Sequence, residues 1–261
     1  MNINRSIDAP VIWLTGASSG IGRATALEAA RRGYRVALTA RRTELLEELR
    51  GEICAAGGSA GKILLAPADV TDPVQLKSAF DLLCSGFGRI DILCAGAGLH
   101  VPSDAESFDV AAYRQLFDLN LFGVLNCIQL VLPQMQKRKS GHIAGISSVA
   151  GYRALPTAAA YGASKAALTY FLESLRFDLD RFGIAVTVIS PGFVKTPQTD
   201  KNEFPMPCII AADVAARKIM DGIERRAYEV HFPWRFTIFL KLLRLLPIRL
   251  YHLLVSRSVL R

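Results

Sequence analysis

Two side chains suited to acid–base chemistry, Tyr161 and Lys165, lie four residues apart. The surrounding segment, 158–182, has the apolar pattern of a long helix, on which this spacing puts both side chains on one face about one turn apart. A phenol ordinarily titrates at about 10, which is too high for efficient proton exchange at neutral pH. Because a nearby ammonium favours the phenolate, we expect a proton-transfer pair in which the pKa of the tyrosine is lowered.

A serine at the end of a predicted strand, 142–147, is the candidate partner of this pair. Ser148 lies thirteen residues before Tyr161, and its hydroxyl can hold a carbonyl oxygen on which charge develops. The neighbouring Ser147 is the rival, and the spacing to Tyr161 favours Ser148. A capping role for either serine is the alternative, and a Tyr–Lys pair at this spacing also occurs by chance in helices.

A glycine-rich turn, Thr-Gly-Ala-Ser-Ser-Gly-Ile-Gly from Thr15 to Gly22, joins a predicted strand, 11–14, to a predicted helix, 24–32. Glycines let the backbone approach a ligand closely. The helix N-terminus offers free N–H donors and a positive dipole end to a pyrophosphate. The strand before the turn and the helix after it are the context that a dinucleotide-binding turn requires. An ordinary tight turn is the alternative.

The end of the second predicted strand, 35–40, bears on the choice of dinucleotide. A site selective for NAD places a carboxylate there to bind the ribose 2′-hydroxyl, whereas this chain has Ala40 followed by Arg41 and Arg42. The planar guanidinium fork suits a phosphate. The sequence therefore favours NADP(H), with Arg41, Arg42 and Ser18 near the 2′-phosphate, over two solvated arginines before a helix.

These residues require an α/β framework to position them, and strand-like and helix-like segments do alternate along the chain. Further strands are predicted at 62–66, 90–94, 184–189 and 228–232, and further helices at 43–56, from Asp72-Pro73 onward, at 108–138 and at 211–226. Thr43 and Asp72 are the expected helix caps. This alternation predicts a doubly wound Rossmann fold, with a mostly parallel seven-stranded sheet and helices on both faces.

The turn spacing and the order Asn120, Ser148, Tyr161, Lys165 resemble the short-chain dehydrogenase/reductase family, over nearly the whole chain to about Phe232. The resemblance implies that these four residues are catalytic. It implies that Asn120 bends the long helix and anchors a water that links Lys165 to solvent. Lys165 is also implied to hold the nicotinamide ribose. The implied activity is hydride transfer between NADP(H) and a carbonyl or secondary alcohol.

The same resemblance implies a set of cofactor contacts, with Asp69 at the adenine and Thr196 at the carboxamide, followed by a substrate lid over 197–210. The contact residues are Gly16, Ser18, Ser19, Gly20, Ile21, Gly22, Arg41, Arg42, Asp69, Val70, Ala95, Gly96, Tyr161, Lys165, Pro191, Gly192, Val194 and Thr196. One departure stands out. Where the family has Asn-Asn-Ala-Gly, this chain has Ala95-Gly96-Ala97-Gly98, so any hydrogen bonds made by those two amides are absent.

Charge and hydropathy divide the 261-residue chain into a domain, 1–232, and a C-terminal appendage, 233–261, which we call the tail. The net charge is +8, and the sequence from His231 onward contains no Asp or Glu. Because the excess positive charge is concentrated there, a nucleic-acid face spread over the fold is not expected. Pro247 is expected to divide the tail into two short helices. Cations on one side and leucines on the other are typical of a helix lying on an anionic membrane, and the alternative is that the leucines pack on the domain or on a second subunit.

Five scattered cysteines show no metal-ligand spacing, which indicates buried thiols in a reducing compartment and no metal site. The N-terminus lacks an apolar run with a cleavage site, so we expect a cytoplasmic protein, either free or peripheral on the inner face of the membrane. The principal hypothesis is an NADPH-dependent reductase or dehydrogenase for an apolar ketone or alcohol. The alternative is a non-catalytic NADPH-binding sensor or scaffold. The family commonly pairs subunits through its two long helices, which implies a homodimer or homotetramer.

Overall fold

Seven parallel strands form the centre of the molecule in a computed structural model that describes residues 9–103, 105–202 and 204–259. The ends of the predicted domain and tail, 1–8 and 260–261, and lid residue 203 lie outside the described residues. In chain order, the strands of this sheet and of a separate short pair are β1 (Val11–Thr15), β2 (Arg35–Thr39), β3 (Ile63–Leu65), β4 (Ile92–Ala95), β5 (Gly141–Ile146), β6 (Ile184–Pro191), β7 (Val194–Lys195), β8 (Ile210–Ala211) and β9 (Glu229–Phe232). The short pair consists of β7 and β8. The main sheet has the order β3-β2-β1-β4-β5-β6-β9, which confirms the predicted doubly wound α/β fold.

Helices cover both faces of this sheet. They are α1 (Gly20–Arg31), α2 (Thr43–Ala55), α3 (Pro73–Phe87), α4 (Val110–Phe117), α5 (Gly123–Arg138), α6 (Ala159–Leu179), α7 (Ala212–Glu224), α8 (Trp234–Arg244) and α9 (Ile248–Val259). Apolar residues of α1, α2 and α7 form one buried layer, and those of α3, α5 and α6 form the other. Successive residues of β1 enter opposite layers, with Val11 and Trp13 on one side and Ile12 and Leu14 on the other. Strands buried on both faces explain the continuous apolar runs of the sequence.

Two helix starts differ in how they are capped. Asp72 caps α3 as predicted, because its carboxylate accepts hydrogen bonds from the backbone N–H groups of Val74 and Gln75, with Pro73 at the first helical position. Thr43, in contrast, is the first residue of α2 and not its cap. The cap position is held by Arg42, which makes no side-chain capping bond.

The predicted helix 108–138 is interrupted. A π-helical turn, Asp118–Phe122, separates α4 from α5. By length and composition alone, the stretch Val110–Arg138 could cross a membrane. However, Val124, Ile128 and Val131 pack into the core beneath the sheet, as expected for a core helix of a folded domain.

The carboxyl ends of parallel strands lie at one edge of a sheet, and this edge carries every segment singled out by the sequence. The glycine-rich turn follows β1, Ala95 ends β4, Ser148 follows β5, and Pro191 ends β6. The tail begins at the same edge, because α8 starts two residues after β9 ends. Ligands of open α/β sheets bind at this edge, so the fold brings the candidate residues together there.

Candidate active site

The candidate catalytic side chains converge where β5 and α6 meet. Tyr161 and Lys165 lie on consecutive turns of α6, and the Lys165 ammonium is 6.0 Å from the centroid of the Tyr161 ring. The Ser148 hydroxyl lies close enough to the Tyr161 phenol to favour a lower pKa of that phenol, and it accepts a hydrogen bond from the backbone N–H of Ala150 at 3.1 Å. The structure thus brings Ser148, Tyr161 and Lys165 together.

Ser147, the rival of Ser148, is committed elsewhere. Its hydroxyl donates to the backbone carbonyl of Lys165 at 3.0 Å and lies 2.6 Å from the Thr169 hydroxyl. It is buried and links the end of β5 to α6. This arrangement leaves Ser148 as the serine that faces the phenol.

Lys165 is buried, and its ammonium donates a hydrogen bond to the backbone carbonyl of Ile146 at 2.8 Å. Burial disfavours the charged form and lowers the pKa of Lys165 to about 8. An ammonium in this position can release its proton near neutral pH, as a proton relay requires.

The expected lowering of the tyrosine pKa is wrong for the protein alone. Burial raises the pKa of the Tyr161 phenol above its ordinary value, and the interaction with Ser148 offsets this only in part. The physical reason is that a buried phenolate loses hydration, while the nearby ammonium is turned to the carbonyl of Ile146. Tyr161 is therefore a neutral phenol at pH 7, the form that can donate a proton.

Asn120 is fully buried in the π-helical turn, and its amide is used for positioning. It accepts a hydrogen bond from the backbone N–H of Leu99 at 2.8 Å and donates to the carbonyl of Leu99 at 2.9 Å and to the hydroxyl of Ser164 at 3.1 Å. A Cβ added at Gly98 would lie 3.1 Å from the Asn120 amide oxygen and 3.3 Å from the Lys165 ammonium. Asn120 therefore lies beside Lys165 with only a glycine between them, and it holds the loop after β4 in place.

The glycine-rich turn forms a cradle in which larger residues would not fit. Gly16 has φ +70°, and a Cβ there would lie 2.8 Å from the backbone of Gly96 and Ala97. A Cβ at Gly22 would lie 2.3 Å from the carbonyl oxygen of Gly16. Ser19 precedes α1 without making a side-chain capping bond, so its hydroxyl does not compete with a ligand for the first N–H groups of the helix. With Ile21 in the first turn, this cradle fits the pyrophosphate of a dinucleotide.

The missing amides after β4 have a local substitute. The Thr15 hydroxyl accepts hydrogen bonds from the backbone N–H groups of Gly96 at 3.2 Å and Ala97 at 3.4 Å. A Cβ at Gly96 would lie 2.9 Å from Ile146 Cδ1. The small residues Ala95 and Gly96 therefore match a larger neighbour on β5.

Residues predicted for the adenosine end lie together at the ends of β2 and β3. Arg42 donates a hydrogen bond to the Ser18 hydroxyl at 3.3 Å, and Arg41 lies 3.8 Å from a carboxylate oxygen of Asp69. Arg41 is 73% exposed, so its guanidinium can reorient towards a phosphate. Val70 is buried beside this group.

The segment after β6 closes over the cradle from the other side. A Cβ at Gly20 would lie 3.3 Å from the side chain of Thr196, so the predicted carboxamide contact lies against the glycine-rich turn. A Cβ at Gly192 would lie 3.1 Å from the ring of Phe236 in the tail. Pro191 and Val194 are buried on either side of that glycine. This segment thus contacts both the candidate cofactor site and the tail.

Three residues near the site were missed from the sequence. His100 packs edge-on against the Tyr161 ring, with ring centroids 4.7 Å apart and an interplanar angle of 83°. Asn126 donates to the carbonyl of Val70 at 2.9 Å, and Ser164 links Asn120 to the carbonyl of Tyr161. His100 follows β4 at the carboxyl edge of the sheet, and this position was the signal that could have revealed it.

The fold and the site together define a dinucleotide-binding α/β protein with a Ser–Tyr–Lys centre. The family model described as short chain dehydrogenase matches residues 10–205. An uncharacterised oxidoreductase of Myxococcus xanthus is 41% identical over 94% of this chain and 95% of its own. The chain belongs to the short-chain dehydrogenase family and is an oxidoreductase of that family, whose members use nicotinamide cofactors.

Solved structures agree with this assignment. A short-chain dehydrogenase from Streptomyces avermitilis aligns with a TM-score of 0.79 and 28% identity, covering 91% of this chain and 92% of that one. A variant of actinorhodin polyketide ketoreductase with NADPH aligns with a TM-score of 0.79 and 25% identity, covering 87% and 97%. The predicted family and fold are confirmed by these comparisons.

Proposed function

We propose that this protein is an NADPH-dependent reductase of apolar carbonyl compounds. The observation that carries the proposal is the neutral phenol of Tyr161, which interacts with the Ser148 hydroxyl and lies on the same helix face as the buried Lys165. NADPH, when bound, supplies the hydride. The cradle from Gly16 to Gly22 would hold its pyrophosphate.

Each catalytic side chain then has one task. The Ser148 hydroxyl holds the carbonyl oxygen of the substrate, and Tyr161 donates its proton to that oxygen as charge develops there. Lys165 stabilises the phenolate left behind, because an ammonium favours a nearby negative charge. Asn120 keeps the loop after β4 in register with α6.

The catalytic proposal is tested by Tyr161→Phe. Because this change removes only the proton donor, we expect turnover to fall at least ~10²-fold, while NADPH binding measured by fluorescence stays within about twofold. The control is Tyr228→Phe, at an exposed ring outside both the candidate site and the proposed subunit interface. Retention of wild-type turnover by the Tyr161 variant would refute the assigned role. If the wild type binds NADPH yet reduces no carbonyl in a broad panel, the protein is instead a sensor or scaffold.

The preference for NADP(H) is supported by Ala40, Arg41 and Arg42. No carboxylate occupies position 40, and both arginines lie beside Ser18 or Asp69 at the adenosine end. We expect Arg41→Ser with Arg42→Ser to raise the Kd for NADPH at least ~10-fold and to leave the Kd for NADH nearly unchanged. Arg50→Ser, on the neighbouring helix α2, is the control. Equal loss for both cofactors would contradict the assignment.

An apolar substrate is supported by the side chains around the mouth of the site. Leu99 and Val101 of the loop after β4 are exposed, as are Phe204 and Ile209 of the lid. Exposed apolar groups on two segments that adjoin a candidate site favour an apolar ligand. A series of ketones of increasing chain length, assayed by NADPH oxidation, should show rising kcat/KM, and a flat or falling series would contradict this part of the proposal.

The tail turns its polar groups towards the domain. Lys241 forms an ion pair with Glu229, which also accepts a hydrogen bond from Tyr152 at 2.6 Å. Arg153 donates to three carbonyls at the end of α8, those of Leu243, Arg244 and Leu246. The Tyr251 hydroxyl donates to the carbonyl of Ala154 at 2.6 Å. The tail is therefore held on the domain chiefly by polar contacts.

Phe236 packs on the segment after β6 and Tyr251 is buried, but most large apolar side chains of the tail face outward. Those exposed are Trp234, Ile238, Phe239, Leu242, Leu245, Ile248, Leu250, Leu253 and Leu254. The exposed cations Arg235, Arg244 and Arg249 lie among them, and the tail sequence contains no acid. Because positive charge favours an anionic lipid surface over a second copy of an equally basic tail, we propose that this face binds the membrane peripherally.

Vesicle binding tests the membrane proposal. We expect Ile238→Glu with Leu242→Glu to lower binding to vesicles of phosphatidylglycerol and phosphatidylcholine at least ~10-fold. Val74→Glu with Leu82→Glu adds the same charge at exposed apolar positions of α3 and is the control. Unchanged binding would end the membrane proposal, and a shift only in oligomeric state would show that the face binds a second copy.

A homo-oligomer formed through the long helices is supported by large exposed rings. Phe122 in the π-helical turn and Tyr170 and Phe177 on α6 are all exposed. We propose that they are covered in a dimer or tetramer, and Phe177→Asp should yield a monomer in light scattering. A wild-type monomer at micromolar concentration would refute the oligomer.

We also propose a reducing, cytoplasmic location. This proposal is supported by the five cysteines, all of which are free, and of which Cys94 and Cys127 are buried.

A further inference from the structure

His100 occupies a position next to the proposed proton donor. Its imidazole meets the Tyr161 ring in a T-shaped arrangement, with ring centroids 4.7 Å apart. The two exposed apolar residues on either side, Leu99 and Val101, belong to the mouth of the site. A substrate whose carbonyl reaches the Tyr161 phenol therefore passes beside this imidazole.

The loop that carries His100 is fixed on both sides of it. Leu99, immediately before it, exchanges two backbone hydrogen bonds with the amide of Asn120. Ser103, three residues after it, donates its N–H to the carbonyl of Thr157 at 2.7 Å, and its hydroxyl accepts from the N–H of Ala160 at 3.1 Å. These bonds tie the loop to the beginning of α6, so the imidazole is held at a set place relative to Tyr161.

Neither ring nitrogen of His100 has a hydrogen-bond partner among the residues that the structure describes, although the side chain is half-buried. Burial also lowers the pKa of His100, which keeps the ring neutral at pH 7 with one donor and one acceptor. Neither ring nitrogen is fully buried, so both are accessible to a ligand that enters the site.

We propose that His100 determines substrate specificity by hydrogen-bonding a second oxygen of the substrate. The imidazole and the phenol ring are in direct contact, so an oxygen one or two carbons away from a carbonyl held by Tyr161 comes within reach of the imidazole. The preferred substrate is then an apolar ketone that carries a keto, ester or hydroxyl oxygen close to the reacting carbonyl. This inference rests on the proposed reductase function and narrows its substrate class.

A matched substrate pair tests it. The probes are a β-keto ester and the ketone of equal chain length in which methylenes replace the ester group. We expect the wild type to prefer the β-keto ester, and His100→Phe, which keeps an aromatic ring against Tyr161, to lose at least ~10-fold in kcat/KM for that substrate while changing the simple ketone by less than about twofold. His100→Asn retains a donor and an acceptor and should recover part of the preference.

The outcomes separate this inference from the function it rests on. Equal losses for both probes in His100→Phe would show that the imidazole only supports the Tyr161 ring, and the specificity inference would be overturned while the reductase function stands. A wild type that reduces both probes equally overturns it as well. NADPH binding and the melting temperature of each variant are measured alongside, so that a folding defect is recognised. If the wild type binds NADPH and reduces neither probe nor any other carbonyl, the proposed function itself fails.

Discussion

Replacing Lys165 by methionine should abolish turnover and stabilise the fold. The pKa of this buried ammonium is about 8, against an ordinary value of 10.5, so holding the charge in the native state at pH 7 costs about 3 kcal/mol. Methionine fills a similar volume without a charge. It leaves the carbonyl of Ile146 without its partner, at a cost of about 1 kcal/mol. The net expectation is a gain of about 2 kcal/mol in the free energy of unfolding at pH 7.

The pH dependence gives this prediction a second signature. The unfolded chain keeps the lysine proton up to pH 10.5, whereas the native state releases it near 8. In that window the unfolded state binds more protons, so the stability of the wild type rises with pH. At pH 9.5 the cost of the charge falls to about 1 kcal/mol, and the advantage of the variant should nearly vanish.

Urea unfolding of both proteins at the two pH values measures this difference. Groups shared by the two chains cancel in the comparison, which isolates Lys165. Lys218→Met, at an exposed position of α7, is the control and should change stability by less than about 0.5 kcal/mol at either pH. A Lys165 variant that is less stable than the wild type at pH 7, or an advantage that does not shrink at pH 9.5, would refute the reasoning.

Three further predictions concern the cradle and the tail. Gly96→Ala should destabilise the protein by about 1–3 kcal/mol in urea unfolding, because the new methyl group would lie 2.9 Å from Ile146. The control is Gly51→Ala on helix α2, where no heavy atom lies within 4 Å, and this change should stabilise the protein by about 0.5–1 kcal/mol. Equal effects of the two substitutions would contradict the close approach at Gly96. Arg153→Ala removes three hydrogen bonds to the end of α8 and the contact of the guanidinium with the Tyr251 ring at 4.1 Å. Limited proteolysis should therefore cut the tail faster in this variant than in the Arg181→Ala control. An unchanged cleavage rate would show that Arg153 does not anchor the tail. The ion pair with Lys241 lowers the pKa of Glu229, so the stabilising contribution of this pair is present above pH 4.5 and is lost as the pH falls further. The fluorescence of Trp234 should therefore show an acid-induced change in the wild type that is absent in Glu229→Gln.

The fold was largely predictable because the central strands of the sheet are buried on both faces. Apolar runs such as 11–14 and the nearly continuous 184–189 mark such strands, and the segments between them are long enough for crossover helices. The helix cap at Asp72 was also predictable, because the capping residue and Pro73 are adjacent in sequence. Features fixed by neighbours in sequence were thus accessible without coordinates.

Features fixed by distant contacts were not accessible from the local pattern. The interruption of the predicted helix 108–138 depends on Asn120, whose amide bonds Leu99 and Ser164, 21 and 44 residues away. Only the family resemblance implied that Asn120 bends this helix. The spacing to Tyr161 favoured Ser148 over Ser147, and the structure supplies the physical reason, because the Ser147 hydroxyl contacts Thr169 in a different element.

The orientation of the tail shows the same limit in reverse. Helical periodicity separates its cations from its leucines, and either side can face inward. The polar contacts decide the matter, because Arg153 of the domain donates to the end of α8 and Lys241 of α8 pairs with Glu229 of β9. The leucines therefore remain exposed, which local hydropathy would not predict for a helix packed on a domain.

The electrostatics of Tyr161 and Lys165 unite these points. A sequence spacing of four predicts proximity, and proximity alone predicts a lowered tyrosine pKa. Burial acts on both groups at once and disfavours both charged forms, so the phenol keeps its proton while the lysine holds its own weakly. A neutral donor above a lysine that titrates near pH 8 is suited to give a proton to a reduced carbonyl and to be recharged afterwards. Because this arrangement lowers stability, its presence in a well-packed core argues for function over structure.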